Sequence, residues 1–562
     1  METNNRIYLF VLVLTVAFGS YLRLHNLGLS SFWVDELDFV EAAKSRIRVG
    51  EPLLASGYAY PRTPLLTYSL VASYKVLGVS EFSSRLPSAI FGILSIPLIY
   101  YIGRKWFDVR TGLFAAVFLT CAPFEVGWSR ACRMYALLQL LFLLGMYLFY
   151  RGFEAAREGS NEKVQRPASA TGWLRTLIRN WQINPPLLFT GGFFLFLSYT
   201  SHQNAGLFLF SFIVFVVLMG LHAFVRARSN TRSATFPSWR EFGMGQKYVL
   251  LAVVVIPFLL GATTLPSVRD FVTYAMGYLP KWAEVASAQN RCRILEFIFT
   301  PAHFPVYVLF PAGAILVLWR WHKAGIYSLV NLVVPVLMFS FIFHYRKNDY
   351  VYHVYPVLFL LAGVALSELI RLSSTGLKRL LKRTGFLEPG LVMACLLLLP
   401  LTPGFRFAQK IPRLPDGHFN GAIYHNEWKE AAAFLAEKVG EQDLLMSTLP
   451  LSVQYYLGRA DYNLNWSNGD LAHENNIVAQ DGRFIDLYSG TDIIEEIEQV
   501  RRLMRERPGW LLVDSYRFEN DVYVPPEVRT FVKENMALVY KTKRKTVIIY
   551  RWETPEPASG TN

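Results

Sequence analysis

Asp35, Glu36 and Asp38 fall in the stretch Phe32-Trp33-Val34-Asp35-Glu36-Leu37-Asp38, just beyond the first long apolar run of the chain. Carboxylates are costly beside hydrocarbon, so acids kept there are candidates for chemistry. The adjacent pair Asp35-Glu36 offers a general base for a hydroxyl proton, or oxygens for a divalent cation. The same pair suits a helix start ahead of Leu37 to Ser45, because Asp is a good N-cap and Glu favours a first turn.

Further polar residues stand at the ends of other apolar runs: Arg62; Arg130, Arg133 and Tyr135; His202, Gln203 and Asn204; His344, Arg346, Lys347 and Asp349. Guanidinium and ammonium groups there could hold a phosphate or diphosphate. Each also has a simpler use: Arg130 and Arg133 could snorkel to headgroups, and His202 could be a satisfied polar group between helices. Snorkelling and capping do not account for carboxylates, cations and a histidine gathered together. That combination suits transfer from a phosphorylated lipid.

The elements that must position these residues are membrane spans. Crossing about 30 Å of hydrocarbon takes roughly 17 to 25 apolar residues. Eleven runs qualify, near 7–24, 86–102, 111–128, 134–150, 186–201, 204–224, 248–264, 304–320, 326–344, 351–371 and 388–404. Basic residues cluster in alternate connections: Arg104, Lys105 and Arg110; Arg151 to Arg179; Arg226 to Arg240; Arg320, His322 and Lys323; Lys378 to Arg383. By the positive-inside rule these face the cytoplasm, which puts the polar residues above and the tail after Pro403 outside. The apolar stretch 64–77 is short for a span and reads as an interfacial or re-entrant helix on the outer face. The first run begins straight after Arg6 and shows no small-residue cleavage site, so it reads as an uncleaved span.

Composition agrees with a polytopic membrane protein. Hydrophobic residues make up 53% of the 562 and charged residues only 17%, against about 25% charged in a soluble chain. The net charge of +14 comes from basic connections facing the cytoplasm, so a nucleic-acid partner is excluded. Cys121 and Cys395 fall in spans as small apolar residues, while Cys132 and Cys292 both lie outside, leaving a disulfide between them open. No internal repeat is visible.

From residue 405 onward the pattern becomes that of a soluble α/β domain. Trp428 to Val439 has helical spacing, Ile493 to Arg505 reads as a charged amphipathic helix, and Asp443 to Thr448, Trp510 to Val513 and Thr546 to Trp552 read as strands. The stretch 265–303, with Phe271, Tyr274, Tyr278 and Trp282, reads as an amphipathic cover over a lipid-facing groove or as an interfacial helix. Residues 553–562 have nothing to bury and read as disordered. The expected organisation is an all-α membrane domain over 1–404, a soluble extracytoplasmic α/β domain over 405–552, and the tail.

Trp33-x-Asp35-Glu36, Tyr60-Pro61-Arg62-Thr63-Pro64-Leu65, Trp128-Ser129-Arg130-x-x-Arg133-Met134-Tyr135-Ala136-Leu137 and Tyr199-Thr200-Ser201-His202 occur in order and in topological register. Together they resemble the GT-C superfamily of integral-membrane glycosyltransferases, of the protein O-mannosyltransferase and lipid A aminoarabinose transferase type. Tyr350 to Leu366 resembles a later span of that group, and Tyr455-Tyr456-Leu457-Gly458-Arg459 is the most familiar piece of the tail. The resemblance implies a GT-C fold of about 11 to 13 transmembrane helices with outer-face juxtamembrane helices. It implies a polyprenyl-phosphate-linked sugar donor, a protein, glycolipid or polysaccharide acceptor, and inversion at the anomeric carbon. It also implies a multi-pass protein of a bacterial or archaeal plasma membrane, with its site on the outer face.

By that analogy Asp35 is the general base or an acceptor-positioning carboxylate, and Glu36 assists it or helps Asp35 hold a divalent metal ion. Arg62, Arg130, Arg133 and Lys347 bind the donor phosphate. Tyr60, Tyr135, His202, Asn204, His344 and Tyr350 line the substrate site. The chain departs from the pattern where relatives commonly have His-Pro-Pro or Glu-Lys-Pro: here Arg62-Thr63-Pro64 keeps the cation and lacks the glutamate. Metal use and sugar identity are left open by that change. A transporter or flippase of a lipid-linked saccharide is the competing reading, but transporters place substrate residues near the midplane and often carry inverted repeats. A third reading is a non-catalytic scaffold that binds through the external domain.

Overall fold

The computed structural model describes residues 2–155, 180–230, 245–253, 294–342, 348–381, 387–411, 426–464, 477–480, 483–494, 496–521 and 523–554. They form two compact units: Met1–Arg23, Ala89–Ser129 and Met134–Lys410 make the first, and Leu24–Ser88, Arg130–Arg133 and Ile411–Asn562 the second. The sequence reading places its main boundary at 404/405; by packing, the segment after the first apolar run groups with the C-terminal residues.

The first unit is helical. Among the described residues six helices are long and apolar enough to cross a membrane, or up to eight if two bent pairs each count as one span. They are Arg6–Leu24 in α1 (Glu2–Leu24), α4 (Glu81–Trp106), α7 (Tyr135–Phe153), and the helices covering Gln203–Ser229, Lys323–Phe341 and Pro356–Leu377. The bent pairs are α5 (Val109–Cys121) with α6 (Pro123–Ser129), at 62°, and Leu387–Leu401 with Pro403–Lys410, at 61°. Two more predicted spans are helical but shorter, Pro185–Ser201 and Val306–Trp319. Most of the expected run 248–264 lies outside the described residues. Hydrocarbon gives apolar helices no hydrophobic reason to associate, so close packing must do it. A side chain at Gly191 would strike the Phe149 backbone, and one at Gly313 the Leu361 carbonyl, so both positions need glycine for helix contact.

A buried arginine supports the α5–α6 break. Arg23 donates from Nε to Ser129 Oγ (3.1 Å) and from its terminal nitrogens to the carbonyls of Leu119 (3.3 Å) and Thr120 (3.4 Å). The last carbonyls of α5 have no partner within their helix, and the guanidinium supplies it.

The second unit holds a sheet of eight strands in the order β3-β4-β5-β2-β1-β6-β8-β7. These are β1 Leu444–Ser447, β2 Tyr462–Leu464, β3 Ile477–Gln480, β4 Arg483–Asp486, β5 Asp492–Ile494, β6 Gly509–Asp514, β7 Ala537–Lys541 and β8 Val547–Trp552. β1 pairs in parallel with β2 and β6; both β1 and β6 are buried throughout because both sheet faces are covered. Leu444, Met446, Leu511 and Val513 pack on one face with Val500, Leu503, Val528 and Phe531. Leu445, Trp510 and Leu512 pack on the other with Trp428, Leu435 and Val453. Residues expected to open a helix, Ile493 and Ile494, belong instead to β5, and the helix runs Ile497–Glu506. Packed with this domain are α2 (Val34–Val49) and α3 (Pro64–Leu77), the latter started by Pro64 at its first turn. Val34, the first residue of α2, lies against the Trp428 and Trp510 cluster.

Candidate active site

In the second unit Glu36 and Asp35 have different surroundings, although adjacent in sequence. Glu36 is wholly buried. Arg85 donates from Nε to its Oε1 (2.9 Å) and from Nη2 to its Oε2 (2.8 Å), the Cys132 N–H to Oε1 (2.7 Å), and the Trp33 N–H to Oε2 (2.9 Å). The last bond satisfies an orphan amide at the start of α2, so Glu36, not Asp35, caps that helix. With two donors on each oxygen, this carboxylate fixes the segment entering α2 and is not presented to a substrate.

Asp35 sits in the first turn of α2 and is partly open, with 37% of its side chain exposed. Arg133 donates from Nη1 to the Asp35 carbonyl (2.7 Å), and its Nη2 lies 3.7 Å from Oδ2. The Arg133 guanidinium also packs on the rings of Trp33 (5.5 Å) and Phe39 (5.2 Å). It therefore holds the Asp35 carboxylate in place. Arg130 donates to the carbonyls of His25 (2.8 Å) and Asn26 (3.2 Å). Arg62 is exposed, 5.8 Å from the Tyr60 ring. Of these three arginines its guanidinium is the most open to a phosphate.

One turn beyond Asp35, Asp38 is buried, and no hydrogen-bond partner is recorded for it among the described residues. Burial first, and then the charge of Asp35, pushes its carboxyl well above the usual range, against the pull of Arg133 and Arg62. Tyr60, buried beside it, is raised by burial and by Asp38. Its ring meets Phe39 edge-on at 5.4 Å. The second unit thus carries one half-open carboxylate, one buried carboxyl, an exposed guanidinium and a phenol in a single cluster.

The first unit gathers a second set. Tyr135 donates from its hydroxyl to Asp349, and its ring lies 5.9 Å from His202 and 4.5 Å from Trp128. His202 lies 5.5 Å from the Tyr350 ring and accepts the Asn204 N–H at Nδ1 (3.2 Å), while Asn204 donates its amide to the Tyr350 carbonyl (3.3 Å). Tyr135, His202, Asn204 and Tyr350 are therefore brought together, with Asp349 among them. His344 and Lys347 lie outside the described residues, as do most of 265–303 and all but the first two residues of 553–562.

Two groups had no sequence signal for their roles. Arg85 opens an apolar run and reads as an ordinary flank, yet it neutralises Glu36. Glu125 is buried inside a span and accepts a bond from Gln139 Nε2 (2.9 Å). The only available clue was the cost of an acid at that depth. Cys132 is a buried free thiol, and Cys292 lies outside the described residues.

A divalent metal held by Asp35 and Glu36 does not fit this arrangement. Both Glu36 oxygens are committed to protein donors, and among the described residues no three His, Cys, Asp or Glu side chains gather as a metal site.

Two solved membrane enzymes share this fold. ArnT from Cupriavidus metallidurans superposes with a TM-score of 0.54 at 15% identity, over 96% of this chain and 97% of that one. It also has a structure bound to undecaprenyl phosphate. The archaeal oligosaccharyltransferase AglB from Archaeoglobus fulgidus, in complex with an inhibitory peptide and a dolichol-phosphate, gives 0.54 at 13% identity, over 99% of this chain and 75% of that one.

In sequence, the profile of the dolichyl-phosphate-mannose-protein mannosyltransferase family matches residues 61–161. An uncharacterised Aquifex aeolicus protein is 27% identical over 142 residues, 24% of this chain and 28% of that protein. The candidate mannosyltransferase YkcB of Bacillus subtilis (strain 168) is 26% identical over 168 residues, 28% of this chain and 22% of that protein. The matches thus span about a quarter of each curated relative.

Proposed function

We propose that this protein is an inverting glycosyltransferase that moves a sugar from a polyprenyl-phosphate donor to a hydroxyl-bearing acceptor on the outer face of a bacterial or archaeal plasma membrane. The observation that carries the reading is the half-open Asp35 carboxylate held by Arg133 beside the exposed Arg62. A base and a phosphate-binding cation on one cluster are the two groups such a transfer needs. The lipid phosphates bound to ArnT and AglB, and the profile match over residues 61–161, support the donor class.

In this reading the acceptor oxygen attacks the anomeric carbon as the bond from that carbon to the phosphate oxygen breaks. Asp35 takes the hydroxyl proton as its oxygen becomes bonded. The polyprenyl phosphate leaves with the electron pair of the broken bond, and Arg62 stabilises its charge. Attack opposite the leaving group inverts the carbon. Arg133 holds the base, and Tyr60 lines the pocket beside it. Tyr135, His202, Asn204 and Tyr350 form a polar aromatic cluster suited to sugar hydroxyls. A protein acceptor has support from the peptide complex of AglB; glycolipid and polysaccharide acceptors carry the same hydroxyl chemistry.

Mass spectrometry of glycolipids and glycoproteins from cells with and without this chain tests the reading. Loss of one glycosylated product, with build-up of a polyprenyl-phosphate sugar, is expected. Identical profiles would count against it.

A further inference from the structure

The turn between β4 and β5 belongs to the C-terminal sheet. Asp486 Oδ1 accepts the N–H groups of Tyr488 (3.1 Å) and Ser489 (2.7 Å) and the Ser489 hydroxyl (2.8 Å). This is the local bonding by which an aspartate sets a tight turn. Gly490 closes the turn at φ +74°, where a side chain would crowd Ser56. Ser56 donates its hydroxyl to the Leu487 carbonyl (2.5 Å) and its N–H to the Tyr488 carbonyl (3.2 Å). Ser56 lies in a short hairpin, with a bridge between Leu53 and Ala59, that leads directly to Tyr60 and Arg62.

The turn is thus pinned to the site segment through main-chain atoms, which any residue at 488 would provide. The Tyr488 side chain is not required for that pinning and lies outside both apolar clusters of the sheet. It is half-buried, and no hydrogen-bond partner for its hydroxyl is recorded among the described residues. The charges that act on its hydroxyl are those of Asp38, Arg62, Asp35 and Asp486, in that order. The C-terminal sheet thus brings a phenol within electrostatic reach of Asp35, on a turn tied to the segment that leads to Tyr60 and Arg62. The carboxylates of Asp35 and Asp486 disfavour an anionic group there and suit a neutral one that carries hydroxyls.

We propose that Tyr488 is an acceptor-positioning residue: the turn Asp486 to Gly490 forms the acceptor-side wall of the site, and the phenol orients a neutral hydroxyl-bearing acceptor toward Asp35. The proposal rests on the glycosyltransferase reading of the same site. It gives the C-terminal domain a direct part in acceptor choice.

The test uses the full-length protein in lipid nanodiscs, with C55-polyprenyl-phosphate mannose as donor. The acceptor source is an envelope fraction from cells lacking the chain. Two rates are followed for wild type, Tyr488→Phe and Tyr488→Ala: mannose transfer to the fraction, and release of free mannose to water. In the Ala variant the ratio of transfer to hydrolysis should fall by about tenfold, through a raised KM for the fraction with the donor KM unmoved. The Phe variant should fall less and guards against misfolding of the Ala protein. A wild-type ratio in both variants, or a donor KM that rises in step, overturns the proposal. A wild-type protein that neither transfers nor hydrolyses any sugar across a panel of C55-polyprenyl-phosphate donors overturns the glycosyltransferase reading beneath it.

Discussion

Arg85 meets Glu36 through two parallel hydrogen bonds of 2.9 and 2.8 Å, with both side chains wholly buried. A fork of this kind is among the stronger pairings available to a carboxylate. Removing one partner of a buried pair leaves the other charge uncompensated, at a cost of about 3–5 kcal/mol. Glu36→Gln should therefore unfold at markedly lower temperature than wild type, as read by thermal scanning in detergent. A Glu36→Gln protein that is inactive but has the wild-type melting temperature would instead make Glu36 a chemical group.

Asp38 gives a pH signature. An acid whose folded pKa is raised binds its proton more tightly folded than unfolded. It therefore subtracts stability as pH climbs above the ordinary value of 3.8, until the raised folded value is passed. Asp38→Asn mimics the protonated form facing Asp35, Arg133, Asp486, Arg62, Tyr60 and Tyr488. It should raise the melting temperature at pH 7 by on the order of 2–4 °C, with a smaller gain at pH 4. Equal gains at both pH values, or a loss, would contradict the burial argument.

The Tyr456 hydroxyl accepts the Phe32 N–H (2.8 Å) and donates to Glu81 (2.9 Å), tying a helix of the sheet domain to the segment that leads into Asp35. Tyr456→Phe loses both bonds and leaves the Phe32 amide without its partner, at about 1–3 kcal/mol. The expected outcome is a several-fold lower kcat with little change in donor KM. Unaltered kinetics would show that the tie does not position the base.

The outer-face assignment can be checked with single cysteines at Ser160 and Ser467. In intact cells an impermeant thiol reagent should label the second and spare the first. Labelling of Ser160→Cys would reverse the reading of the basic connections.

Much of the architecture was legible because its physical causes are local. Apolar runs such as 134–150 and 351–371 appear as long helices, and β1, β6 and β8 appear where continuous apolar stretches predicted strands. β2 to β5 were not legible: they are three or four residues each, and Arg483, Asp486 and Asp492 interrupt any apolar pattern. In the site, residue type alone did not show that Glu36 would be buried and Asp35 left partly open. Their separation depends on Arg85, 49 positions away in the chain, and on the Cys132 amide. Tyr488 was invisible for the same reason, since its place near Asp35 comes from a main-chain tie to Ser56 across 431 or more positions. Burial and long-range partners are tertiary facts, and a single sequence carries no local trace of them.

Asp35→Asn tests the central claim most directly, assayed as sugar transfer from C55-polyprenyl-phosphate mannose by the purified protein in nanodiscs. Losing the base should lower kcat by about 10²–10⁴-fold with the melting temperature and donor KM close to wild type. Wild-type turnover by the folded Asp35→Asn protein would contradict the claim.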